Sequence, residues 1–305
     1  MKQITAFGFG VIAVVVVLLL VNAQTKTNDT AITMTSDVTE KHSVVPQTCI
    51  IKLPDELDFA GERVPLEMPD VAERLDRELH INVYWHSSTI QILKLANRWL
   101  PVIEKVLKQN GVPEDFKYLC VAESNLRNAV SPAGATGFWQ FLNGVGKEYG
   151  LEISSEVDER YHAVKSTEAA CRYLKAAYQK YGSCTMAAAS YNAGMPSVSG
   201  MIENQNVNSY YDLLLKDETS RYVHRILAIK LILENPDKYG FCFDSEDLYA
   251  PLPTRTLTVK ETIPDLVAFA QEHRTNVKML KYHNPWLRAN SLTVKGKVYS
   301  IELPQ

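Results

Sequence analysis

The sequence predicts a mainly α-helical fold closed by a small β-α-α-β unit, and three observations carry this reading. Apolar residues recur at helical spacing in successive segments from residue 87 to 234, separated by short links punctuated by Gly and Pro. No alternating run typical of a strand interrupts that stretch. The last fifty residues instead place two short β-like runs around two short helical segments.

In chain order, Met1 to Ala23 has a cationic start at Lys2, an apolar run from Ile4 to Val21, and Val21-Asn22-Ala23 as a small-residue cleavage site. Residues 1–23 are read as a signal peptide or an uncleaved membrane anchor. Either fate delivers the body of the chain outside the cytoplasm, and the second ties it to an inner membrane. The Phe7-Gly8-Phe9-Gly10 text lies inside the apolar run without a strand-turn-helix context, so it is not a nucleotide loop. Residues 24–86 form a flexible spacer rich in Thr, Ser and charge, followed by an N-terminal strap with a short helix from about Pro69.

The helical domain is expected over 87–238. Ile92, Leu95, Trp99, Val102, Ile103 and Val106 mark a first buried amphipathic helix from Ser87 to Asn110, with Pro101 as a kink point. Pro113 starts the next, which carries Phe116, Leu119, Cys120 and Glu123 on one face. Phe138 to Tyr149 reads as a helix closed by Gly150, Ser166 to Tyr181 as one closed by Gly182, and Thr185 to Asn192 as an Ala-rich helix. Glu218 to Glu234 is a long helix with Tyr222, Ile226, Ile229 and Leu233 as one stripe, stopped before Pro236. Residues 239–254 read as a linker. In 255–305, strands at Thr256 to Val259 and Val298 to Leu303 bracket helices at Pro264 to Glu272 and Val277 to His283.

Composition narrows the chemistry. The 305 residues carry 32 Lys and Arg against 35 Asp and Glu, a net charge of −3, and losing residues 1–23 removes one further positive charge. No basic footprint for nucleic acid is present. The five cysteines, at 49, 120, 171, 184 and 242, lack Cys-x-x-Cys spacing, and the seven histidines form no His-Glu-x-x-His motif, so no metal or other cofactor is expected. Cys120 sits at a core position of its helix.

Glu123 is the chemically distinctive residue. It lies on the buried face at the end of its helix, where desolvation and the negative pole of the helix dipole both favour the protonated acid. On spacing alone, a carboxylate there serves equally well as a local cap or ion-pair partner. Downstream, Gly134 and Gly137 allow close backbone approach, Phe138 and Trp139 offer an aromatic surface, and Gln140 supplies a neutral donor and acceptor.

Three boxes in order, Glu123-Ser124 with Ser131, Gly134, Ala135, Gly137, Phe138, Trp139 and Gln140, then Tyr191-Asn192-Ala193-Gly194, then Glu218-Thr219 with Tyr222-Val223, resemble the lytic transglycosylase catalytic domain, the Slt or goose-lysozyme-like fold. The gap from Glu123 to Ser131 is one residue shorter than the common family spacing, and Arg127-Asn128 replaces the usual Asn-Pro, so a different turn after the acid is expected. Residues 255–305 resemble a LysM module through Leu266 to Ala270, Asn284-Pro285 and Val298 to Pro304, with Lys260-Glu261-Thr262 where a Gly-Asp turn is usual.

The resemblance implies a lysozyme-like domain cleaving peptidoglycan glycan strands in the periplasm, with Glu123 catalytic and Ser131, Gln140, Tyr191, Asn192, Tyr222 and Glu218 in the substrate cleft. It further implies that Tyr191 hydrogen-bonds Glu123. Without the resemblance, Tyr191 and Tyr222 read as core tyrosines, and Glu218 as a complement to a helix N-terminus. No acid lies between Glu123 and Glu148, or between Glu168 and Glu203, so the boxes supply one carboxylate where ordinary glycosidases use two. A goose-type hydrolase and a silent peptidoglycan-binding protein are the alternatives.

Overall fold

The computed structural model describes residues 49–305. The expected signal or anchor segment and most of the spacer lie outside the described residues. Cys49 to Gln305 form one compact unit built around two hydrophobic cores. Among the described residues, no helix is long and apolar enough to cross a membrane.

The strap opens with a hairpin of β1 (Asp58–Phe59) and β2 (Glu62–Arg63), paired antiparallel. It leads into α1 (Pro69–Tyr84), with Pro at the helix start, where its missing N–H costs no hydrogen bond. This helix is far longer than the short one expected, because Val71, Leu75, Leu79 and Val83 form a buried stripe at helical spacing. Helix α2 (His86–Gln109) runs through Pro101, and α3 (Phe116–Ser124) ends at Asn125 in the left-handed conformation, φ 52°.

The expected helix from Phe138 is shorter than its sequence suggests: α4 is Asn143–Glu148. Residues 138–141 turn instead, with Thr136 N–H donating to Phe141 C=O (3.1 Å), Gln140 N–H to Gly137 C=O (3.3 Å), and Gln140 itself at φ 49°. Helix α5 (Ala163–Tyr181) begins three residues before Ser166. Ser166 is therefore inside it, and its hydroxyl donates back to His162 C=O at 2.8 Å rather than capping. Gly182, at φ 67°, ends it as expected.

Helix α6 (Cys184–Ala193) is capped by Ser183, whose hydroxyl accepts from Met186 N–H. Its Ala187, Ala188 and Ala189 are fully buried, and these small side chains let the helix pack closely between α5 and α8 (Asp217–Glu234). An unexpected helix, α7 (Met195–Gln205), follows; it buries only Val198, so it leaves no apolar stripe to read.

Helix α8 is buried on most of its surface and packs against α1, α3 and α6, the position of a central helix in a bundle. Its Lys230 is buried but paired, at 2.7 Å from Asp115 and 3.5 Å from Asp58, so the strap and the start of α3 neutralise a charge the core could not hold alone. Phe59 meets Phe116 edge-on at 5.3 Å. Glu62 also accepts from Thr185 N–H (2.9 Å) and Ser183 Oγ (2.9 Å) at the start of α6. The strap thus joins three helices of the main core.

The second core belongs to β3 (Thr254–Val259), α9 (Leu266–Glu272), α10 (Val277–His283) and β4 (Tyr299–Pro304), with the strands antiparallel and Leu257 opposite Ile301. Asp265 and Asn276 cap the two helices. Asn284, fully buried, donates to Leu280 C=O (2.8 Å) and Glu302 C=O (2.6 Å) and accepts from Glu302 N–H (2.8 Å), so its polar cost is met.

This unit is fastened to the helical domain along residues 152–162. Val157 bridges Leu287, Asp158 N–H donates to Trp286 C=O at 2.9 Å, and Glu156 accepts from Ser291 Oγ (2.6 Å) and Thr293 N–H (2.9 Å). His162 stacks on Trp286, which stacks on Tyr299. Burial lowers the His162 pKa to about 4, so at neutral pH the ring is an uncharged part of this seam.

Candidate functional site

Helix α3 delivers Glu123 in its last turn, facing α8. Tyr222, itself fully buried, donates its hydroxyl hydrogen bond to Glu123 Oε1. Burial pushes the Glu123 carboxyl up to about 7, prevailing over the Tyr222 hydrogen bond and the Arg225 charge, which pull it down. Such a group holds a proton in neutral solution and can release it, which is what a general acid requires.

The expected bond from Tyr191 to Glu123 is not formed. Tyr191 donates to Trp139 C=O at 2.8 Å, and its ring meets Trp139, Phe141 and Tyr173 edge-on at 6.1, 5.9 and 5.0 Å. It locks the Trp139 turn under the site, while Tyr222, one layer over on α8, contacts the acid. Trp139 is fully buried and donates to Thr167 Oγ1 at 2.9 Å, so it is core rather than an exposed sugar platform. Phe138 is buried too, edge-on to Trp99 at 5.0 Å.

Gln140 spends its amide nitrogen on its own loop, donating to Gly137 C=O (2.8 Å) and Ala129 C=O (3.1 Å). Ser131 does likewise: its Oγ accepts from Ala135 N–H at 3.0 Å. Both residues therefore shape the turn. Asn192, at the end of α6, accepts from Thr219 Oγ1 at 2.9 Å and so links the second and third sequence boxes. Glu218 is exposed and pairs with Arg225 at 3.1 Å. Its charge also acts on Glu123 directly, raising that pKa where Arg225 lowers it.

Sequence reasoning missed Arg160. It is buried, paired with Asp158 at 2.7 Å, and donates through Nη1 to Gly134 C=O and Phe141 C=O, both at 3.2 Å. One guanidinium thus holds the two ends of the glycine turn beside the seam to the C-terminal unit. It lies outside all three boxes, and no local pattern marks it. Arg225 was also missed, although its place three residues after Tyr222 puts it on the same side of α8. Cys120 is fully buried, its thiol donates to Phe138 C=O at 3.5 Å, and burial raises its pKa well above the ordinary value, so it packs the core.

Residues 101–213 match the family model for the transglycosylase SLT domain, and residues 255–305 the model for the soluble lytic transglycosylase C-terminal LysM-like domain. Among curated proteins, the chain is 26% identical over 250 residues to "Membrane-bound lytic murein transglycosylase D" of Escherichia coli (strain K12), covering 79% of this chain and 54% of that protein. The protein of the same name from Escherichia coli O6:H1 (strain CFT073) matches to the same extent. The chain spans about half the length of these relatives. A transglycosylase SLT domain and, after it, a LysM-like domain of the kind that ends soluble lytic transglycosylases are therefore both carried by this chain.

Proposed function

We propose that this protein is a lytic transglycosylase that cleaves the β-1,4 bond between N-acetylmuramic acid and N-acetylglucosamine in peptidoglycan, leaving 1,6-anhydromuramyl ends. The single observation that carries the reading is Glu123, a half-buried carboxyl hydrogen-bonded by Tyr222 and raised to about 7, within a matched SLT domain. In this reading Glu123 protonates the bridging oxygen as the glycosidic bond breaks. Its carboxylate then takes the proton of the muramyl carbon-six hydroxyl, whose oxygen closes on the anomeric carbon. Glu123 ends protonated, and no water is consumed.

The sugar's own acetamido group substitutes for a second protein carboxylate, a known exception to the two-carboxylate rule. Asn192 positions that group, while Ser131, Gln140 and Tyr191 shape the cleft through the turn they hold, Tyr222 orients the acid and Glu218 balances Arg225. We assign 87–238 to the catalytic domain, 239–254 to a linker and 255–305 to a LysM-like unit on an exported body that acts in the cell envelope on glycan strands. Residues 1–23 serve that export as a signal peptide or as the segment that holds the protein at the inner membrane.

Mass analysis of fragments released from purified peptidoglycan tests the reading. Muramyl ends lighter by one water than hydrolysed ends are expected; reducing ends would assign the site to a goose-type hydrolase. Activity should fall as pH rises through about 7, because the acid form of Glu123 is then lost. Tyr222→Phe removes a hydrogen bond that favours the anion, so its alkaline limb should move to higher pH while turnover drops about tenfold through loss of orientation. An unmoved limb in that variant would contradict the assigned contact.

A further inference from the structure

We infer that Glu78, on helix α1 and outside the segment matched as an SLT domain, is a positioning residue for the acid: it holds the Arg225 guanidinium and balances its charge beside Glu123. The inference rests on the reading of Glu123 given above. The Glu78 side chain is 1% exposed, the most deeply buried carboxylate among the described residues of the main core. It accepts from Arg221 Nε at 2.6 Å through Oε1 and lies 3.5 Å from Arg225 Nε through Oε2. Arg225 reaches in the other direction to Glu218 Oε1, at 3.1 Å. A guanidinium one helical turn from Tyr222 is thus stretched between two carboxylates, one buried on the strap helix and one exposed on its own helix.

Among the groups that act on Glu123, this arginine is the cation. From α8 these are Tyr222, Arg225 and Glu218; from α6, Tyr191; and from its own helix, Cys120. Tyr191, Tyr222 and Cys120 are kept neutral by burial. Arg225 is therefore the cation that draws the Glu123 proton off, Glu218 opposes it, and Glu78 is the second carboxylate on the same guanidinium. Arg221 has a second partner in Asp217 at 3.7 Å, whereas Arg225 without Glu78 keeps Glu218 alone. A carboxylate fully removed from water is costly unless paired, and here the pairing does two things: it fastens α1 to α8 and it trims the field at the acid.

A purely structural role predicts lost stability and an unmoved pH profile; a positioning role predicts a moved one. The test measures kcat/KM against pH on a soluble peptidoglycan oligosaccharide for the parent protein, Glu78→Gln, Arg225→Gln and, as an exposed control on α1, Glu73→Gln. Glu78→Gln keeps the shape but removes the charge, so its alkaline limb should move to lower pH. Arg225→Gln should raise the limb, and Glu73→Gln should leave it in place. A Glu78→Gln protein whose limb coincides with the parent's overturns the inference. Should that variant not fold, Glu78→Asp, which keeps the charge but shortens its reach to Arg225, takes its place: a limb that coincides with the parent's overturns the inference equally. Failure of the underlying reading is distinguishable, since it would appear as turnover surviving Glu123→Gln, whatever the limbs do.

Discussion

Replacing Glu123 with Gln is expected to lower fragment release from peptidoglycan by about a thousandfold or more, within the range removal of a general acid produces, and at the same time to stabilise the fold above neutral pH. The two effects share one cause. Burial holds the carboxyl protonated up to about 7, against an ordinary value of 4.5. The folded state therefore binds this proton more tightly than the unfolded chain. The stability this contributes is fully present below pH 4.5 and is lost as pH rises through about 7. At pH 8 the parent must keep a desolvated anion in the site, at a cost of up to about 3 kcal/mol, whereas a neutral amide carries no such burden. Thermal unfolding at pH 4 and pH 8 checks this: the two proteins should nearly coincide at the lower pH and separate at the higher, with the inactive variant the more stable. A site exchanging stability for chemistry behaves in this way.

The second large effect concerns the turn. Gly137→Ala should destabilise the protein by on the order of 3 kcal/mol, lowering the melting temperature by about 10 °C. Two independent costs contribute. Gly137 has φ 82°, a conformation that costs an L residue about 1 kcal/mol. An added Cβ would also lie 1.9 Å from Arg160 O and 2.7 Å from Arg160 C, backbone atoms that cannot swing aside. Gly134→Ala separates the two, because Gly134 has φ 80° with nothing within 4 Å of the added atom; it should cost only the conformational part, about 1 kcal/mol. Equal melting temperatures for the two variants would show that the approach of Arg160 to the turn is not tight.

These residues also show what the sequence discloses and what it does not. Helix α10 runs from Val277 to His283 as read from its spacing, and α8 begins one residue before the predicted Glu218, because caps and apolar stripes are local signals. The turn at 138–141 reads as helix in the sequence because Phe138, Trp139 and Phe141 are apolar at plausible spacing. What decides it is Gln140 at φ 49° and the grip of Arg160, a contact across 19 or more residues. Helix α7 leaves no signal in the sequence because only Val198 is buried in it.

In the site, the acid at Glu123 and the tyrosines at 191 and 222 are legible as types in boxes, yet the hydroxyl that reaches the acid is that of Tyr222 and not the expected Tyr191. Which hydroxyl reaches the acid depends on how α6 and α8 stack on α3, and spacing within a helix cannot convey that. Glu78 was beyond reach altogether. It stands in a strap whose text reads as charged surface, and only the packing of α1 on α8 turns it inward to the arginines.

Bond cleavage depends on a proton that Glu123 keeps near neutrality, and the most direct measurement is the titration of that one carboxyl, read as the difference in carboxyl infrared absorption between the parent protein and Glu123→Gln across pH 3 to 9. A protonated carboxyl band that fades with a midpoint near 7 and is absent from the variant is expected. A midpoint near the ordinary 4.5 would mean that the site holds an anion at working pH, and the acid role would be contradicted.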